Sequence, residues 1–298
     1  MDVSEIHLER ALNEYNDTVN MLESEGGSPE LVEAYVNRGC ILYMMGYLTS
    51  AMEDLGSACE LMEGIGIDAD AGTYVKAHAT MGAILYEQGS EISEEYGYAL
   101  TRLDELNPGS KHFDKAGIIR MCVESADNLL DSDYPEDAER FVMKAMSILE
   151  NSFDRWSSNR KMELMTLRGE CRMAMKDREG AMEQYSDAIA LGTTLVEDSE
   201  IEDMEELVVP IIARSQCESE LGLDDLYLSD LELAVGLLEE MLKVNKLSEP
   251  DILVDMHQQL ASALMVKDRM EEAERHLMRA VSMGVHGADD YIRNQVRN

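Results

Sequence analysis

The residues of this chain that could do chemistry are six histidines, five cysteines and a dense population of carboxylates. Metal binding or proton transfer by imidazole needs ligands brought together by short, regular spacing. His7, His78, His112, His257, His276 and His286 offer none: there is no His-Glu-x-x-His, and no two share a helix face at metal-ligand spacing. His78 and His257 fall at large core positions of the repeat described below and read as hydrogen-bonded core side chains. Cys40, Cys59, Cys122, Cys171 and Cys217 form no Cys-x-x-Cys and are odd in number, so they read as reduced core fillers of an intracellular protein. Gly64, Gly66 and Gly72 do not make a dinucleotide fingerprint, because the third is misplaced and no strand precedes them; they read as a linker. No phosphate loop ending in Gly-Lys-Ser/Thr occurs. Glu197, Asp198, Glu200, Glu202, Asp203, Glu205 and Glu206 cluster, yet without the alternating Asp/Asn and central Gly of a calcium loop. They read as a solvated helix start favoured by the positive end of the helix dipole, with a docking patch for a basic partner as the alternative. The expectation is a protein that is not an enzyme, with no catalytic residues, no metal and no cofactor.

Bulk charge points the same way. There are 25 basic residues against 61 acidic ones, a formal net charge of −36. Such a field repels nucleic-acid phosphate and anionic lipid and attracts basic protein surfaces, so no nucleic acid and no membrane is expected as a partner. Solubility alone, or adaptation to a salty cytoplasm, is the simpler reading of the acidity. Arg120, Arg168, Arg172, Arg214, Arg275 and Arg279 are expected in solvent-exposed ion pairs worth under about 1 kcal/mol each. The first residues lack the basic-then-apolar pattern of a secretory signal, and the longest apolar stretches, such as residues 207–213, are too short to span a bilayer. The protein is expected to be soluble and cytoplasmic.

The elements that must position these residues are helices. Ala, Leu, Glu and Met dominate, prolines number five, and alternating β-branched runs are missing. A repeat organises them. Tyr35, Gly39, Ala51, Leu55 and Ala58 are matched step for step by Met165, Gly169, Ala181, Tyr185 and Ala188. Weaker copies are Cys122/Ala126/Ala138/Val142/Ala145, Ile211/Ser215/Tyr227/Leu231/Ala234 and His257/Ala261/Ala273/Leu277/Ala280. Another keeps His78, Gly82, Tyr96 and Ala99 with a turn two residues short, and Ala11, Tyr15 and Thr18 make a leading half. The last small position recurs after 40, 41, 46, 43, 46 and 46 residues. Gly39 is expected to face Ala51, and Gly169 to face Ala181, at close helix crossings. Gly169→Leu would overpack and cost roughly 1–3 kcal/mol.

This pattern resembles the tetratricopeptide repeat family over nearly the whole chain, in a variant longer than the usual period of about 34. The resemblance implies an all-α, right-handed superhelical solenoid of antiparallel helix pairs. It would run through residues 1–298 as one solenoid, with a leading helix at 1–27 and helix pairs at 30–64, 72–107, 113–151, 158–192, 204–244 and 250–284. A short capping helix at 288–298 would close it. The resemblance also implies that the first helix of each pair lines a concave groove. Transferred by motif position, that face holds Glu33, Val36, Asn37, Cys40, Tyr43 and Met44, then Lys76, Thr80, Ala83 and Glu87, then Glu124, Asp127 and Asp131. In the later pairs it holds Glu163, Thr166, Glu170 and Met173, then Gln216 and Glu220, then Asp255, Gln258, Ser262 and Met265. Asn37 matches the family's peptide-backbone-binding Asn. The family's clamp for acidic tails needs paired Lys and Arg on neighbouring repeats, whereas this groove offers Lys76 amid acids. The expected function is a protein-interaction scaffold or adaptor taking a peptide or helical segment, basic or amphipathic, in an acidic groove. The alternatives are a self-associating or structural subunit of a larger assembly and, third, a catalytic helical array.

Overall fold

The computed structural model describes residues 3–64, 66–67, 69–109 and 113–283. Among them every regular element is helical. The chain divides into two compact units, Met1–Asn151 and Ser152–Asn298. The first opens with α1 (Val3–Glu23) and continues as three helix pairs: α2 (Pro29–Met44) with α3 (Leu48–Cys59), α4 (Ala71–Glu87) with α5 (Ser93–Arg102), and α6 (Lys115–Asp131) with α7 (Pro135–Leu149). The second holds α8 (Arg155–Ala174) with α9 (Arg178–Glu197), α10 (Glu205–Glu220) with α11 (Asp224–Lys243), and α12 (Pro250–Val266) with α13 (Met270–Ser282). Residues 288–298, expected as a capping helix, lie outside the described residues, as do His112 and His286.

Local chemistry sets the helix limits. Ser28, Asp70, Asp114, Asp154 and Asp177 each turn a side-chain oxygen onto a free N–H of the first turn of α2, α4, α6, α8 and α9. Pro29, Pro135 and Pro250 stand at helix starts, where the missing N–H loses no bond. Each pair is closed by a turn with one left-handed residue: Gly46, Gly89, Asp133, Lys176, Gly222 and Asp268. Glycine takes that conformation freely, and the other three bear its steric cost. The pair α4/α5 has its shortened repeat spacing absorbed in the helix rather than in the loop. Residues 88–92 join the two helices, and α5 is 10 residues long.

Within the first unit α2 lies against α4 and α4 against α6, while α3 leans on α4. In the second, α8 contacts α10, α9 contacts α10, and α11 contacts α12. The small residues permit these crossings. A methyl at Gly39 would meet Leu55 Cγ at 2.9 Å and the backbone oxygen of Ala51 at 3.3 Å, so Ala51 stands at the crossing and Leu55 fills the space one turn on. A methyl at Gly169 would meet Tyr185 Cε1 at 2.3 Å, and one at Gly82 the ring of Tyr96 at 2.8 Å. The large residue of the second helix therefore fills the notch left by the glycine of the first.

Arg214 departs from the expected surface pairing, and Arg38 shares its arrangement. Arg38 donates from Nε and Nη2 to Asp54 at 2.6 Å each, and Arg214 does the same to Asp230 at 2.7 and 2.8 Å. Both aspartates are buried. These bidentate bonds tie the first helix of a pair to its second and are core structure rather than surface decoration.

Candidate functional site

The parallel first helices α2, α4 and α6 present neighbouring faces, and their side chains surround a pocket of about 760 Å³ in the first unit. Helical spacing puts Asn37, Cys40, Tyr43 and Met44 on one face of α2, since three- and four-residue steps return to the same side. Lys76, Thr80 and Glu87 come from α4, and Arg120, Glu124 and Asp127 from α6. Tyr15 of α1 and Asp114, the cap of α6, complete the rim.

Hydrogen bonds fix the walls. Tyr43 Oη donates to Glu124 Oε1 at 2.5 Å, linking α2 to α6 across the α4 face. Cys40 Sγ sits 3.4 Å from Thr80 Oγ1. Asn128 Nδ2 donates to the buried Tyr96 Oη at 2.9 Å, and Tyr96 meets Phe141 edge to face. That contact anchors the floor to the second helices. Outside the pocket, in the last turns of α4 and α6, Tyr86 Oη donates to Asp131 Oδ2 at 2.7 Å.

The electrostatics divide the pocket. Burial first, and then the carboxylate of Glu124, push the Tyr43 phenol up, so it stays a donor. Asp127 is raised to about 6, by desolvation at the pocket wall first and then by the charges of Asp131 and Glu124. Burial also pushes the Cys40 thiol up, against the opposing pull of its bond to Thr80 and of the Lys76 and Arg120 charges. Lys76 is half-buried. Neither Lys76 nor Arg120 has a hydrogen-bond or ion-pair partner among the described residues. Arg120 is the one described arginine of which this is true.

The structure thus brings Asn37, Cys40, Tyr43, Met44, Lys76, Thr80, Glu87, Glu124 and Asp127 around one cavity. Val36 and Ala83 are buried in the core beside them. In the second unit Thr166 is buried and donates its hydroxyl to the carbonyl of Met162. Glu170 is half-buried, and Met173 packs its sulfur against Cys217. Gln216 and Ser262 are exposed and Gln258 is half-buried. Sequence reasoning missed Arg120, Asp114 and Tyr15. Arg120 lies four residues before Glu124 and so shares its face, a spacing equally consistent with surface ion pairing.

Elsewhere, His78 Nδ1 lies 2.7 Å from Glu95 Oε2, between the rings of Tyr74 and Tyr98. His257 meets His276 Nδ1 to Nδ1 at 3.0 Å across α12 and α13, with Glu239 on its other nitrogen at 3.1 Å. This pairing lies across helices and could not be seen from spacing within one. Among the described residues no three His, Cys, Asp or Glu side chains gather as a metal site. In the acidic segment, Glu202 and Glu206 approach Arg160, and the buried Asn159 fastens the loop by accepting from the Glu202 N–H. Among the described residues no helix is long and apolar enough to cross a membrane.

No protein-family model matches the sequence, and no curated protein matches it either. Solved structures do. The apo form of RapI superposes with a TM-score of 0.61 at 13% identity, covering 92% of this chain and 75% of that one. The C-terminal part of a TPR repeat-containing protein from Cytophaga hutchinsonii gives 0.60 at 13% identity, covering 95% and 97%. BtubC from P. vanneervenii gives 0.56 at 13% identity over 80% and 88%. The paired helices, the glycine notches filled from the second helix and these superpositions together give the chain the all-α helical-repeat fold of the tetratricopeptide-repeat proteins.

Proposed function

We propose that this chain is a non-enzymatic interaction scaffold whose first-unit pocket binds a basic segment of a partner protein. One observation carries the reading: the polar faces of α2, α4 and α6 converge on a single cavity, with Asn37 on one wall and Glu87, Glu124 and Asp127 on the others. The Asn37 carboxamide both donates and accepts, which suits a peptide backbone. The carboxylates suit lysine and arginine side chains, and the half-exposed Met44 adapts to an apolar neighbour.

The test is selection from a library of acetylated, amidated dodecapeptides on wild type and on a Glu87→Gln/Asp127→Asn variant, with helix content checked by circular dichroism. Wild type should enrich lysine- and arginine-containing peptides and the variant should lose that enrichment. Affinity for a basic peptide should also rise as pH rises through about 6, because Asp127 gains its charge there. A peptide set enriched equally by both proteins would sink the acidic-pocket reading.

A further inference from the structure

The carboxylates account for only part of the pocket. Lys76 and Arg120 project into it from neighbouring helices, and both lack a partner among the described residues. In a chain with 61 acidic and 25 basic residues, an arginine left without any partner is unusual, and every other described arginine has found one. The half-buried ammonium of Lys76 and the exposed guanidinium of Arg120 line one cavity, both close enough to bear on the Cys40 thiol, and form a place for an anion. A purely basic segment would be repelled there.

The acids lie on either side of this cationic pair along the helix direction. Asp114 precedes Arg120 at the start of α6, and Glu124 and Asp127 follow it. Arg120 and Asp127 are seven residues apart, so the two charges are separated by about 10 Å along the helix. An extended peptide covers that distance in about three residues.

We infer that the segment bound in this pocket is ampholytic: it places one acidic side chain on Lys76 and Arg120, with a basic side chain about three residues away on Glu124 and Asp127. The inference rests on the peptide-binding reading above and specifies its ligand. The carboxylate is that of an internal Asp or Glu, because acids flank the cationic pair on both sides and a ligand must bring positive charge to each.

The experiment takes a peptide enriched by wild type and measures its affinity by fluorescence anisotropy in three forms, on wild type and on Lys76→Gln/Arg120→Gln. The forms are acetylated and amidated, the same with its acidic residue changed to the amide, and the amide form with a free C-terminal carboxylate. Wild type should bind the acidic form at least roughly tenfold more tightly than the amide form. The double variant should bind the two alike while keeping its helix content, since neither side chain has a described partner to lose. Equal affinities on wild type, or discrimination that persists in the double variant, would overturn the inference and leave a basic-segment scaffold standing. Full rescue by the free C-terminal carboxylate would assign the cations to a chain end instead. Failure of every peptide to bind would overturn both readings.

Discussion

Arg38 in the first unit and Arg214 in the second occupy the same place in their repeats, one residue before the small residue of the helix crossing. Each holds an aspartate sixteen positions on. In the first unit the remaining guanidinium nitrogen reaches a neutral partner, Asn16. In the second it reaches Ser186, and a second carboxylate, Glu218, stands 3.9 Å from Nε. Glu218 is buried, its Oε2 has no partner, and burial followed by the charge of Asp230 pushes it up to about 7. One interhelical tie is therefore charge-balanced in the first unit and overloaded with acid in the second. The arginines show a second difference. Arg160, Arg172, Arg178 and Arg214 of the second unit are engaged by carboxylates, whereas in the first Arg120 has no described partner and lines a pocket with Lys76.

The comparison can be broken most forcefully at the arginines. Arg214→Ala should cost roughly 3–5 kcal/mol in urea unfolding, because two buried carboxylates lose their counter-charge. Arg38→Ala should cost less, since only Asp54 is stranded. A smaller loss at Arg214 than at Arg38 would contradict the overloaded tie.

The glycine notches give the next effect. Gly169→Ala should cost roughly 1–3 kcal/mol, because the added methyl meets the fully buried ring of Tyr185. Gly39→Ala should be close to neutral in the same denaturation assay. Its clash at 2.9 Å with the buried Leu55 is milder than the one with Tyr185, and the about 0.5–1 kcal/mol that alanine gains over glycine within a helix offsets it.

Glu218→Gln sharpens the contrast in pH dependence. The folded-state value of Glu218, about 7, lies above its ordinary 4.5, so the folded chain holds the proton more tightly. Its penalty is absent below about pH 4, builds as pH rises from about 4.5 to 7 and is constant above that. Glu218→Gln should therefore stabilise the chain at pH 8 by roughly 1–2 kcal/mol and leave it unchanged at about pH 4 and below. A pH-independent effect in thermal unfolding would refute the assignment. The smallest change is Lys176→Gly, which relieves a left-handed residue and should gain about 0.5–1 kcal/mol. Gly46→Ala at the matching turn of the first unit should lose a similar amount.

Much of the frame was legible in residue spacing. The steps from Gly169 to Ala181, Tyr185 and Ala188 mark a helix pair, because a small residue every few turns is what lets two helices touch. The face Asn37, Cys40, Tyr43 and Met44 follows from the 3.6-residue period, so those side chains were found without coordinates. Thr166 shows the limit of that transfer: it has the right motif position, yet it is buried with its hydroxyl on its own backbone.

The sequence by itself determined the helices, their pairing, their caps and the acidic character of the surface, because these depend on local propensity, periodicity and composition. Only the tertiary structure decided which charges meet. Arg168 and Arg214 stand one residue before the small residue of their crossings and meet Gln184 and Asp230 sixteen positions on, whereas Arg120 stands elsewhere in its repeat and lines a cavity. Coulomb attraction and hydrogen bonding act over a few ångströms. The role of each arginine is therefore set by what the neighbouring helix presents at that depth, and no spacing along one helix encodes that.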